Sequence, residues 1–225
     1  MKVLKQNKYH TIKVFFETRM LKIFLLGIIS GFPWVLIGSS LSLWLKEEGL
    51  SRSTIGWAGA IFAVYAINYL WAPLVDKLKI FWLTKKIGHR KSWIFLMQLF
   101  IGISLLIWSS IDPEKNLFFI ILIGLLIAIF SSTQDISIDA LRIEQIKSNE
   151  SNIMAAAASM AVMGWWTGFK IGGLVSLFIS DYFEKLGFYN YWQITFIFLF
   201  FILMLLNLLL LTIDEVSKKV SKKNQ

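Results

Sequence analysis

Residues 117–144 read LFFIILIGLLIAIFSSTQDISIDALRIE. An apolar run passes, with no turn residue at the join, into a polar one that carries Gln134, Asp135, Asp139, Arg142 and Glu144. The stretch predicts one long helix that carries acids into a membrane, or to its edge. At about 100° per residue, Ser131, Ser132, Asp135, Asp139 and Arg142 fall within an arc of roughly 100°, while Glu144 points elsewhere. A membrane helix with one ionisable face turns that face to protein or water rather than to lipid. If the helix enters the membrane near Leu117, some 20 residues at about 1.5 Å each reach Asp135 to Asp139. Asp135 then lies inside the inner third, with Asp139 and Arg142 at the interface. A carboxylate in low dielectric can bind and release a proton near neutral pH, which is what proton coupling requires. Asp135, with Gln134 beside it, is the stronger candidate for transport chemistry. Asp139 and Arg142 read equally well as an interfacial ion pair that holds loops together.

The rest of the chain fits this setting. It has 225 residues, 56% hydrophobic and 16% aromatic, with mean hydropathy +0.65, far too apolar for a soluble domain to cover with polar surface. Six segments are long enough to cross a core that needs roughly 20 residues each: 21–45, 54–75, 92–111, 117–139, 153–180 and 191–213. The expected fold is therefore all-α, a polytopic membrane protein of six helices. No linker divides residues 1–225 into two domains.

The charge is +9, but its placement speaks against nucleic acid. Only Lys46, Arg52, Lys115 and Lys185 fall in the segments facing one side, and Lys170 lies within a helix. The other bases sit in segments facing the opposite side, chiefly 1–20, 76–91 and 214–225. Such an excess marks the cytoplasmic side, so both termini are expected there, with the basic segments against anionic lipid headgroups.

Within the helices, Gly27 and Gly31 form a small-xxx-small face suited to close packing. Pro33 can open a membrane helix where a neighbour satisfies the freed carbonyl; the bend either lines a substrate path or serves packing alone. Asn68 is a polar group at membrane depth, and Gln98 is the one strongly polar residue of the third helix. Gly164, Gly168 and Gly172 make a ridge at four-residue steps. Lys170 looks away from that ridge, lining a cavity or snorkelling outward along its stem. The sixth segment is nearly featureless and suited to lipid.

An enzyme reading finds little support. His10 and His89 both lie in surface segments, and no HExxH, Walker A or strand-borne GxGxxG occurs. The chain has no cysteine, so disulfides and thiolate metal sites are excluded. No metal and no cofactor are expected.

Several strings, in order along nearly the whole chain, resemble the AmpG family of muropeptide permeases, a branch of the major facilitator superfamily. They are LLGIISGFP (25–33), WLKEEG (44–49), TIG (54–56), YLWAPLVD (69–76), GHRKSW (88–93), SSTQDISIDA (131–140) and the glycine-rich 164–173. The resemblance implies import across a bacterial inner membrane of N-acetylglucosaminyl-anhydro-N-acetylmuramic acid, with or without its peptide. It implies proton drive and a role in peptidoglycan recycling. By the same resemblance Gln134, Asp135 and Gly31 belong to the substrate or proton path, where Asp139, Asn68 and Lys170 are further candidates. Asp76, Gly88 and Arg90 match the superfamily's gating loop between the second and third helices, in which the acid caps a neighbouring helix. Asp76 and Arg142 are then expected to share one charge network.

The chain also departs from that family. Asn68 stands where the family usually has Lys, a basic residue expected near Trp166 is missing, and six helices stand where members have at least twelve. Six helices correspond to an N-terminal half, one pair of inverted three-helix repeats. Its partners would be a sugar or muropeptide substrate, membrane lipids, and a separate C-terminal half or a second copy. The alternatives are a truncated or split-gene membrane protein without transport activity, or a transporter of another substrate such as acetyl-coenzyme A.

Overall fold

The computed structural model describes residues 14–113, 115–146 and 151–215, with backbone alone for 151 and 152. The basic segments expected at 1–20 and 214–225 therefore lie mostly outside the described residues, as does Lys147.

Among the described residues six helices are long and apolar enough to cross a membrane: Thr18–Glu47, Arg52–Leu70, His89–Trp108, Leu117–Glu144, Ile153–Lys185 and Tyr191–Leu210. They pack as an all-α bundle, the six-helix architecture expected from the sequence. The fourth is one unbroken helix, because its polar half contains no residue that stops a helix. The second is different. Arg52–Ala58 is α-helical, and 3₁₀ turns at Gly59–Phe62 and Asn68–Leu70, on either side of an α-helical Ala63–Ile67, tighten its course before the α-helical Ala72–Lys77. A short helix, Phe81–Ile87, leads on to Gly88.

The tightest contact joins the first and fifth helices. Their glycines interleave so closely that side chains are excluded. A Cβ on Gly27 or Gly31 would enter the backbone carbonyls of Ala161 or Trp165. A Cβ on Gly164 or Gly168 would enter those of Phe24 or Ile28. Association in a bilayer relies on such close packing, because lipid is as apolar as leucine.

The main core runs along most of the bundle, from Ile94, Leu141 and Ile213 toward the basic end to an aromatic cluster at the end near Glu47. Trp44, Trp108, Trp192 and Phe196 are fully buried there, with Trp44 and Trp108 centred 4.9 Å and 5.2 Å from Phe196. The sixth helix, read as lipid-facing, buries Trp192, Phe196, Leu199, Leu203 and Leu206 along one stripe and exposes Phe201, Leu205 and Leu208 on the other. A second, smaller core around Met20, Ile23, Met160 and Ala161 lies toward the opposite, basic end.

Candidate functional site at the basic end

Pro33 has no N–H to give the carbonyl of residue 29, and its ring crowds that carbonyl. The first helix answers with a π-helical stretch at Leu36–Ser40. The carbonyl freed at Ile29 accepts a hydrogen bond of 3.1 Å from Gln134 Nε2 of the fourth helix. Next door, Ser30 Oγ donates to Asp135 Oδ1 at 2.7 Å. Two consecutive residues of the fourth helix thus hold two consecutive residues of the first, a few residues before its π-helical stretch.

Below this pair a cavity of about 230 Å³ opens between the first, fourth and fifth helices. Ser30, Asp135, Asp139, Arg142, Val162 and Trp165 are among its lining residues. Asp139 is exposed at its mouth and pairs with Arg142 Nη2 at 3.0 Å, one turn along the same helix. Asp135 is partly buried deeper in. Around it gather Trp34, whose ring lies 4.4 Å from that of Tyr65, and Ser131, which neighbours the Tyr65 hydroxyl. Trp34 is also a hydrogen-bonding neighbour of the Asp135 carboxylate, so that carboxylate, the indole and the Ser131 and Tyr65 hydroxyls form one polar cluster.

The candidate residues separate on inspection. Asp135 and Asp139 line the cavity together with Arg142. Gln134 does not: it is fully buried and committed to the Ile29 carbonyl. Gly31 is a packing residue against Trp165. Asn68 sits half-buried in the second 3₁₀ turn of the second helix, its carbonyl accepting from the Trp71 N–H, away from the cavity. Lys170 is exposed on the fifth helix, its Nζ 6.0 Å from the centre of the Trp166 ring, and does not line the cavity.

The charge network needs a correction. Among the described residues Asp76 and Arg142 fall in separate ion pairs. Asp76 pairs with Arg90 Nη1, and Arg90 Nε lies 3.6 Å from Glu144 Oε1. Arg142 is taken by Asp139, the nearer partner on its own helix, while Glu144, two residues on, faces Arg90 instead. The acid that caps a helix is also not Asp76. Glu215 Oε1 accepts from the His89 N–H at 2.9 Å and the Arg90 N–H at 3.3 Å, and Oε2 from the Lys91 N–H at 3.3 Å. These N–H groups lie in the first turn of the third helix, where the helix itself supplies no acceptor, and a carboxylate there also meets the positive end of the helix dipole. Gly88 has φ +106°, and a Cβ there would run into the Glu215 carboxylate. Beside it, Asp214 accepts from Lys22 Nζ at 3.2 Å and, by its carbonyl, from Gln145 Nε2 at 3.1 Å.

Ser30, Trp34, Tyr65, Trp165, Glu144 and Glu215 were not singled out as site residues from the sequence. For Ser30 a signal existed, since a proline at 33 frees the carbonyl at 29 and so marks that turn as one needing a polar neighbour. For Glu215 none did, because nothing in the string near 215 points to residues 124 to 126 positions earlier.

The fold and this site define a multi-pass helical membrane protein with ionisable residues facing a cavity between its helices. The Major Facilitator Superfamily model matches residues 23–225, and the chain belongs to that superfamily. It is similar to "Putative transporter AmpG 4" of Rickettsia conorii and of Rickettsia felis, each 36% identical over 203 residues, 90% of this chain and 47% of the relative. It is also similar to "Putative transporter AmpG 3" of Rickettsia prowazekii, 32% identical over 90% of this chain and 46% of the relative. The chain spans about half the length of these curated relatives.

Proposed function

We propose that the chain is the N-terminal half of an AmpG-like permease that brings anhydro-muropeptides across a bacterial inner membrane, coupled to protons through Asp135. Asp135, at the inner end of the fourth helix, faces a cavity it shares with Asp139 and Arg142, and this arrangement carries the reading. An ionisable group at membrane depth that lines a cavity is most often part of a substrate or ion path. The quoted strings, through their resemblance to the muropeptide permeases, favour a muropeptide over other substrates, and the relatives' names add only that they are AmpG transporters. Lys77, Lys79, Lys85, Lys86, Arg90 and Arg142 gather at one end of the bundle, and in this reading that end faces inward with both termini. Residues 1–225 form one domain in this reading, and Lys170 and Trp166 on the exposed face of the fifth helix look toward the second half.

A second reading rests on length. The chain covers 47% of the Rickettsia conorii relative, so transport would require a separate C-terminal half or a second copy, and the chain by itself would insert without transporting.

The test is uptake of labelled anhydro-muropeptide in cells without a permease of their own. The chain is produced there alone and together with the C-terminal half of a relative. Uptake should appear with the second half present, and Asp135→Asn should abolish it with membrane insertion unchanged. Full uptake by Asp135→Asn would remove the coupling role. Absence of uptake in both arms, with both halves inserted, would remove the muropeptide reading.

A further inference from the structure

We infer that Gln134 is a positioning residue: its side-chain amide replaces the backbone donor that Pro33 lacks and so holds Ser30 against Asp135. The first helix loses one internal hydrogen bond at Ile29, and in lipid a freed carbonyl has no water to turn to. Gln134 Nε2 is 3.1 Å from that oxygen, and the Gln134 side chain is fully buried. Ile29 and Ser30 are adjacent, as are Gln134 and Asp135, so the amide bond at one step fixes the register in which Ser30 Oγ meets Asp135 Oδ1 at the next. Pro33 itself is buried, three residues before the π-helical stretch. The proline turn and the cavity acid are thereby tied at a single point. This assigns Gln134 to holding the helices, not to contact with cargo. Only its consequence for transport rests on the proposed function.

A thermodynamic cycle reads this without any transport assay. Gln134→Leu keeps the bulk and removes the donor, while Pro33→Ala restores the backbone N–H that Ile29 lacks. In purified protein, Gln134→Leu should lower the unfolding midpoint by about 5 °C in the Pro33 background. In the Pro33→Ala background the drop should shrink to less than half. Equal drops in both backgrounds would overturn the inference.

A second measurement does not depend on Pro33→Ala folding. The chain has no cysteine, so Ser30→Cys with Asp135→Cys supplies its only thiol pair. Mild oxidation should cross-link that pair quickly, and severalfold more slowly when Gln134→Leu is added. An unchanged rate would show that Gln134 does not position Ser30 and would overturn the inference. Failure of the uptake experiment, by contrast, would leave both of these results as they are.

Discussion

Gly31 and Gly38 lie seven residues apart on one helix, and a methyl group at each meets different surroundings. At Gly31 it enters the Trp165 backbone, which cannot move aside without displacing the fifth helix. At Gly38 it meets Phe62 Cζ at 3.5 Å, an ordinary contact. Gly31→Ala should therefore cost about 1–3 kcal/mol, the usual penalty of overpacking, while Gly38→Ala should be close to neutral. Thermal unfolding of the two purified variants checks this, and equal midpoints would count against the close helix contact. The sequence made the glycine spacing legible, because close approach has a local signature. It did not make Gly31's role legible. A glycine drawn into a substrate path by resemblance turned out to be held by a neighbouring backbone. Gln134 taught the same lesson, since the string that made it a path candidate could not show which carbonyl across the interface it would meet.

The third helix depends on a residue far along the chain. Glu215 gives its first turn the acceptors that a local cap would otherwise supply, and no side chain at its N-terminus does so. Glu215→Ala should leave the amides of His89, Arg90 and Lys91 without these acceptors, at about 1–3 kcal/mol for buried donors left unsatisfied. Hydrogen exchange should accelerate at those three amides while the middle of the helix stays protected; unchanged exchange there would contradict the capping role. The ion pairs at this end make a related claim. Asp76 and Arg90 belong to one group, Asp139 and Arg142 to another. Double-mutant cycles on stability should give coupling within each pair. Asp76 and Arg142 should be additive within about 0.3–0.5 kcal/mol, and clear coupling between those two would restore a single network. Helix lengths and the unbroken fourth helix were readable because period, apolarity and the absence of breakers are local properties. The two 3₁₀ turns of the second helix were not, since nothing in Gly59–Phe62 or Asn68–Leu70 distinguishes a tightened turn from an ordinary one.

Across the whole molecule, the aromatic part of the main core lies toward Glu47, whereas the cavity and its carboxylates lie at the basic end, beside the smaller core. Membrane class, helix count and the distribution of bases came directly from the sequence, because each is a sum over many residues. The cavity depends on where three helices diverge, which no string of residues states. The central claim, that Asp135 looks into a watery cleft at the basic end, can be tested by thiol labelling on this cysteine-free background. Val162→Cys places a thiol on the cavity wall without touching its charges, and Phe201→Cys places one on the exposed stripe of the sixth helix. In membrane vesicles a membrane-impermeant maleimide offered from the side of the basic end should label Val162→Cys and leave Phe201→Cys unlabelled. Labelling of Val162→Cys only after detergent has dissolved the membrane would mean that the wall faces lipid and that the account is wrong.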